Sequence, residues 1–285
     1  MSRSFPNFVP ASWTKMRFET AAAINTGRYA QCRGTDTVLR TLAHLLATHS
    51  RATPKQAKEP KIRVGYSNST IMEKDKIVLA TLDNGRHLTV ADIKLLIERN
   101  DRKALADFIY NRLYGRYIKP YDYDSDAYKQ NYKNGFAIMG SSCLLIESYV
   151  SFTEAKFRKT KDLSRQCFGH FFTTEKRFKE FAEGGRQKDG TISTKKQGGT
   201  PNEFYDNVRC GILHNGETRN GWTISRNSKK PLFNKVAKEI NAVKFANNMK
   251  AILKSYKFKL ESTNQPDNEL WPTFLNRLND LIKTV

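Results

Sequence analysis

The longest apolar stretch of the chain, residues 136 to 152, most constrains what it can fold into. Its apolar side chains cover more than one face of a helix predicted from about residue 132 to residue 156, so most of that helix has to be buried. Glu147 lies in its middle, where a carboxylate is costly unless a cation pairs with it. The carboxylate and several small polar residues interrupt the stretch, which favours a buried core helix over a membrane span.

Helical periodicity recurs along most of the remaining sequence, so the predicted fold class is mainly α. The predicted helices lie near residues 90–98, 101–113, 163–172, 174–183, 200–215, 231–257 and 270–282. Residues 76–85 have the pattern of a strand and turn, and residues 221–226 that of a short strand or β-hairpin. A polar segment rich in Gly, Lys and Thr, residues 184–199, predicts a mobile basic loop.

The N-terminal part of the chain differs from the rest in composition. Residues 1 to 66 show little periodic pattern and are rich in arginine, and only two acidic residues, Glu19 and Asp36, occur in the first 58. We therefore predict a basic, largely disordered tail or leader over residues 1 to 66 and a helical domain over residues 67 to 285.

The balance of charge indicates the kind of partner. Lysine and arginine number 49 against 28 aspartate and glutamate residues, a formal net charge of +21. Such a surface attracts polyanions, because neutralising their phosphates releases condensed counterions. RNA or another nucleic acid is the first candidate, and an anionic membrane surface is a weaker one that we do not expect. A basic surface without a dedicated partner is the alternative.

Several classes of chemistry lack their sequence signatures. The chain contains no P-loop, G-x-G-x-x-G fingerprint, G-x-S-x-G elbow or H-E-x-x-H motif. The cysteines are far apart and form no C-x-x-C pair: Cys32, Cys143, Cys167 and Cys210. We therefore expect no metal site and no cofactor, and a reducing compartment such as the cytoplasm fits best.

The clearest helix start lies at residues 200–203, Thr-Pro-Asn-Glu, where Thr and Glu match a capping box and Pro suits the first helical position. Gly216 predicts a left-handed end to this helix. At about 100° per residue, one apolar stripe on it must face the core, and it consists of Phe204, Val208 and Ile212.

Two side chains on the other side of this helix carry the candidate chemistry. Arg209 and His214 project about 140° apart and straddle the face opposite the stripe, so both can lean toward one cleft or partner. The alternative is an exposed arginine and a histidine near a helix end, where the helix dipole tolerates a cation.

The R-x4-H sequence on a late helix of a basic helical protein resembles the signature of the HEPN superfamily, and residues 204 to 218 are similar to an uncharacterised bacterial branch of it. The similar region covers about residues 100 to 260. The resemblance implies a HEPN-like helical bundle, a homodimer with its ribonuclease cleft where two motif helices meet, and a role as a toxin or antiviral defence effector. A regulatory protein partner is a further expectation. Family members often place Asn, Asp or His directly after the Arg, and Cys210 stands there in this chain.

The two residues suit RNA cleavage without a metal, because RNA supplies its own nucleophile, the 2′-OH. Imidazole groups exchange protons readily, so His214 can take the 2′-OH proton or protonate the leaving 5′-oxygen. Arg209 presents a planar fork of donors to the phosphate. The products would be a 2′,3′-cyclic phosphate and a 5′-OH. The alternative function is a catalytically inactive module of the same fold that binds nucleic acid or a partner.

Other side chains are candidates for supporting roles. Glu147 is expected either to orient Arg209 or His214 or to form a buried ion pair with another helix cation. Tyr205 is expected to pack rather than stack on a base, and the polar helper role is either vacant or filled by one of two asparagines, Asn207 or Asn215. RNA-backbone contacts are predicted for Arg186, Lys188, Lys195, Lys196, Lys229 and Lys230, with a solvated linker as the alternative for the loop residues.

Overall fold

The structure, a computed structural model, describes residues 73–122, 134–158, 163–262 and 269–285. The tail predicted over residues 1 to 66 lies outside these ranges. The described part is mostly helical with a few short strands, which confirms the predicted mainly α class.

The central apolar helix is α3, Gly135–Thr153, and it packs against the helices on both sides of it in sequence and against the two C-terminal helices. Within the described residues it alone is long and apolar enough to cross a membrane, and 67% of its apolar window is buried inside the protein. Such burial is typical of a core helix.

The other helices surround α3. They are α1 Val90–Glu98, α2 Arg102–Tyr117, α4 Ser164–Thr174, α5 Thr200–Phe204, α6 Cys210–Asn215, α7 Ala242–Glu261 and α8 Leu270–Thr284. A π-helical turn, Tyr205–Arg209, joins α5 to α6 without a break, and we call the three segments together the motif helix. The helix predicted at residues 174–183 is a shorter 3-10 helix, Lys176–Phe181.

Short strands form two small sheets. β1 Val78–Thr81 and β2 His87–Thr89 pair antiparallel, as the strand and turn before α1 suggested. In the second sheet β5, Glu239–Asn241, lies between β3, Thr223–Ser225, and β4, Phe233–Asn234. β5 is parallel to β3 and antiparallel to β4. The strand predicted at residues 221–226 is therefore present, but the hairpin after the motif helix is formed by β4 and β5.

The predicted start of the long basic helix was wrong by about ten residues. Residues 233–241 form the hairpin of β4 and β5, and Asn241 caps α7 by accepting a hydrogen bond from the N–H of Lys244. Lys229 and Lys230 lie in the turn before β4. The buried Phe233 and Ile240, which are cross-strand partners, explain why this stretch pairs as a hairpin.

A cluster of aromatic rings fixes the motif helix to the rest of the fold. Phe204 on α5 lies with its ring centroid 4.9 Å from that of Phe172 on α4 and 5.8 Å from that of Phe245 on α7. All three are fully buried. Offset and edge-to-face rings at such distances add to the stabilisation from burial alone.

Replacing Phe204 by alanine should therefore lower the free energy of unfolding by about 3–5 kcal/mol, since a large cavity opens in a packed cluster. Urea denaturation followed by circular dichroism measures this. Phe258→Ala is the control, because Phe258 on α7 is 71% exposed and its loss should change stability by less than about 0.5 kcal/mol. Equal losses for the two variants would show that Phe204 does not anchor the motif helix.

Candidate functional site

The motif helix begins one residue earlier than expected, and its first turn is held differently. Thr200 is the first helical residue, Gly199 is the N-cap, and no side chain caps the end, so the predicted capping box was wrong. The buried Asn202 ties the helix to the preceding loop instead. Its Nδ2 donates to the carbonyls of Ser193, Thr194 and Gly198 at 3.2, 3.2 and 2.6 Å. The loop predicted to be mobile is thus held by hydrogen bonds to the motif helix.

The π-helical turn lies at the centre of the motif helix. Widened turns of this kind are rare and are frequently found at functional sites. Within it, the Asn207 carbonyl accepts the N–H of Arg219 at 3.0 Å, and Asn207 Oδ1 accepts from Asn220 Nδ2 at 2.7 Å. The Arg219 guanidinium also donates to Asn215 Oδ1. In these contacts Asn207 and Asn215 bind the return segment, residues 216–222, to the helix.

Two glycines shape the end of the helix. Gly216 adopts the left-handed conformation, with φ of 73°, which confirms the predicted stop. Gly211 lies so close to the return segment that an added Cβ would be 2.4 Å from the Glu217 carbonyl oxygen. The chain can turn back along the motif helix only because this position lacks a side chain.

Glu147 of α3 lies directly against Arg209. Glu147 Oε1 accepts from Nε and Nη2 of Arg209, each at 2.9 Å, and from the Ser164 hydroxyl at 2.6 Å. The side chains of Glu147 and Arg209 are 16% and 13% exposed. Burial acts to lower the pKa of Arg209, but the Glu147 carboxylate is the first of several groups that raise it, and the pKa lies above its usual value. Arg209 is therefore charged, and its orientation is set by Glu147.

Tyr205 packs between two guanidinium groups. Its ring centroid is 5.4 Å from Cζ of Arg209 and 4.6 Å from Cζ of Arg165 on α4. Arg165 is held in turn by Asp206 through a bidentate pair, at 2.5 and 2.9 Å. Tyr205 also lies edge-on to Phe168, so it packs as expected. Arg165 and Asp206 could not be predicted as a pair from the sequence, because nothing in their spacing shows that α4 lies beside the motif helix.

His214 lies in the last turn of the motif helix and is exposed to solvent. Arg209 is the last residue of the π-helical turn, so the predicted angle of about 140° between the two side chains stays a prediction. Among the described residues no hydrogen bond or ion pair involves its imidazole. The structure thus brings Arg209 to Glu147 and leaves His214 accessible on the neighbouring surface.

The predicted RNA-contacting residues are distributed over two regions. Arg186 is engaged inside the loop, where its Nη1 donates to the Gly190 carbonyl at 2.8 Å. Lys230 pairs with Glu239 at 2.6 Å. Three exposed cations remain in the loop before the motif helix: Lys188, Lys195 and Lys196. Lys229 is exposed in the turn before β4.

In the described ranges, no three His, Cys, Asp or Glu side chains are placed to hold a metal ion.

Gly211→Ala should lower the free energy of unfolding by about 1–3 kcal/mol, because its methyl group would overlap the Glu217 carbonyl. The control is Gly115→Ala on α2, where an added Cβ meets nothing within 4 Å; it should stabilise the protein by about 0.5–1 kcal/mol. Urea denaturation of both variants measures the difference. Stabilisation by both substitutions would contradict the close approach of the return segment.

Comparison of the chain with known protein families, with curated proteins and with solved structures finds no match. The resemblance to the HEPN superfamily therefore stays a prediction that rests on the Arg209 and His214 spacing.

Proposed function

We propose that the chain is a metal-independent endoribonuclease of the HEPN type, with Arg209 and His214 as its catalytic residues. The observation that carries this proposal is the ion pair between Glu147 and Arg209 at 2.9 Å, on the same short helix as the exposed His214. A carboxylate that orients a guanidinium, together with an accessible imidazole five residues later, supports phosphate binding and proton transfer.

Arg209 has enough N–H donors to bind both Glu147 and an RNA phosphate. Arginine has five N–H groups, and the contacts with Glu147 use its Nε and one Nη2 hydrogen. The remaining hydrogens are available for a phosphate, whose charge grows as the 2′-OH attacks. His214 would take the 2′-OH proton or deliver a proton to the 5′-oxygen, and the RNA would end in a 2′,3′-cyclic phosphate.

We further propose that two copies of the chain assemble across α3 and the motif helix. These elements cross at Gly140, where an added Cβ would lie 3.4 Å from Ile212. Large apolar side chains remain exposed around the crossing: Phe136, Leu144 and Leu213, at 40%, 41% and 37%. A patch of this kind suits a protein interface, and pairing over it would bring two motif helices together in one HEPN-like cleft.

Basic residues near the start of the motif helix extend the proposed RNA path. Lys195 and Lys196 lie in a short helical turn that Asn202 fixes through the carbonyls of Thr194 and Gly198. Their ammonium groups suit contacts with phosphates, which position RNA without reading its sequence. A toxin or antiviral role follows from the family resemblance alone, a cytoplasmic location follows from the dispersed cysteines, and a regulatory protein partner is a further expectation.

One observation favours the second candidate function, a catalytically silent module that binds nucleic acid or a partner. Arg209 is only 13% exposed and already neutralised by Glu147, so a phosphate has to share it with a carboxylate. Were Arg209 purely structural, the basic surface would still bind RNA through counterion release.

Purified protein should cut a labelled RNA in the presence of EDTA and leave a 2′,3′-cyclic phosphate. His214→Ala and Arg209→Ala should each slow cleavage by about 10²- to 10⁴-fold, the usual contribution of a general acid or base or of an oriented phosphate donor. His87→Ala is the matched control, because His87 is an exposed histidine on β2, and its removal should leave the rate unchanged.

Filter binding of the same RNA separates the two candidate functions. Lost cleavage with retained binding in Arg209→Ala supports the enzyme. Binding without cleavage in the parent protein supports the silent module. Cleavage by His214→Ala at the parent rate rules out the proposed mechanism.

The proposed dimer predicts that Leu213→Asp dissociates the protein into monomers, because a carboxylate would be desolvated in the interface. Sedimentation equilibrium measures the mass. Phe258→Asp is the control, since Phe258 is 71% exposed on α7, away from the crossing of α3 and the motif helix, and should leave the dimer intact. A monomeric parent protein at micromolar concentration would contradict the dimer.

A further inference from the structure

A second feature with the properties of a binding site lies on the other side of α3. It is a cavity of about 420 Å³ between the C-terminal half of α3, α4, α7 and the start of α8. Tyr149, which lines it, follows Glu147 by two residues and therefore projects about 200° away around the helix. The cavity is thus separate from Arg209, and its volume falls within the range of about 300–1,000 Å³ typical of small-molecule sites.

The inner wall of the cavity is aromatic. The rings of Tyr149 and Tyr256 meet edge to face, with centroids 5.5 Å apart, and Phe171 packs edge-on against Tyr149. The Tyr149 hydroxyl donates to Glu175 Oε1 at 2.7 Å, so the carboxylate is oriented from the wall. Aromatic rings provide a surface for methylene groups and attract cations through their π faces.

The charged groups of the cavity are mainly acidic in a strongly basic protein. Its lining has three glutamates, Glu154, Glu175 and Glu269, against two lysines. The ammonium of one of these, Lys156, lies over the Phe157 ring, 5.5 Å from its centroid. Burial is the main reason that the pKa of His170, 3.3 Å from Glu154, lies below its usual value, so His170 adds no positive charge near neutral pH. The lining therefore disfavours phosphates and RNA.

We propose that this cavity binds a small aliphatic amine with two or more ammonium groups. Its methylene chain would lie along Tyr149 and Tyr256, and its ammonium groups would donate to Glu154 and Glu175. Charged hydrogen bonds of this type are stronger than neutral ones, and the aromatic wall excludes water from the chain between them. The inference does not depend on the ribonuclease proposal, because neither Arg209 nor His214 lines the cavity.

Isothermal titration of the full chain with spermidine tests the proposal. We expect saturable binding of one spermidine per chain, weakened about tenfold or more in Glu154→Gln/Glu175→Gln, because each substitution removes a charged acceptor and keeps its shape. Glu183→Gln is the matched control: Glu183 is 67% exposed, pairs with Lys235 outside the cavity, and its substitution should leave the affinity unchanged.

A second variant tests the site without removing any contact of the fold. Ala155 is exposed and lines the cavity, so Ala155→Arg should abolish spermidine binding while thermal unfolding stays at the parent temperature. The absence of saturable binding to the parent overturns the proposal. So does an equal loss in Glu183→Gln, which would indicate a general charge effect, or binding of adenosine monophosphate in place of spermidine.

Discussion

The ion pair between Glu147 and Arg209 is the interaction on which the arrangement of the motif helix depends. A carboxylate in the middle of a core helix is unstable without a cation, and Arg209 supplies one at 2.9 Å. The same contact joins the motif helix to α3, and burial beside it raises the pKa of the Cys143 thiol far above its usual value. The side chain that we propose to bind phosphate thus also neutralises a charge in the core.

Local signals predict an element correctly where they act alone. Gly216 ends the motif helix as predicted, because a glycine adopts the left-handed conformation that this turn of the backbone needs. The same reasoning failed for the start of the motif helix. Thr200 has the right type and spacing for a cap, but it is itself the first helical residue and Gly199 is the N-cap.

Contacts between distant segments could not be predicted in the same way. The sequence allows Glu147 to pair with a residue of the motif helix or with a cation of another helix. Arg209 is the partner because α3 packs against the motif helix. Arg165 was missed because its role depends on Asp206, 41 positions later in the chain. The parallel pairing of β3 with β5 likewise depends on where the β4–β5 hairpin folds back, and no periodicity encodes that.

The π-helical turn limits how many residues the motif helix can gain or lose. Phe204 before the turn is fixed in the aromatic cluster, whereas His214 after it faces solvent. The turn contains one residue more than a regular α-helical turn, so it sets the rotation of the outer half of the helix relative to the anchored half. Deleting a single residue there would close the widened turn to a regular α-helical one and would disturb Asn207 and Val208, which are buried within it. The number of residues between Phe204 and His214 is therefore constrained by the core.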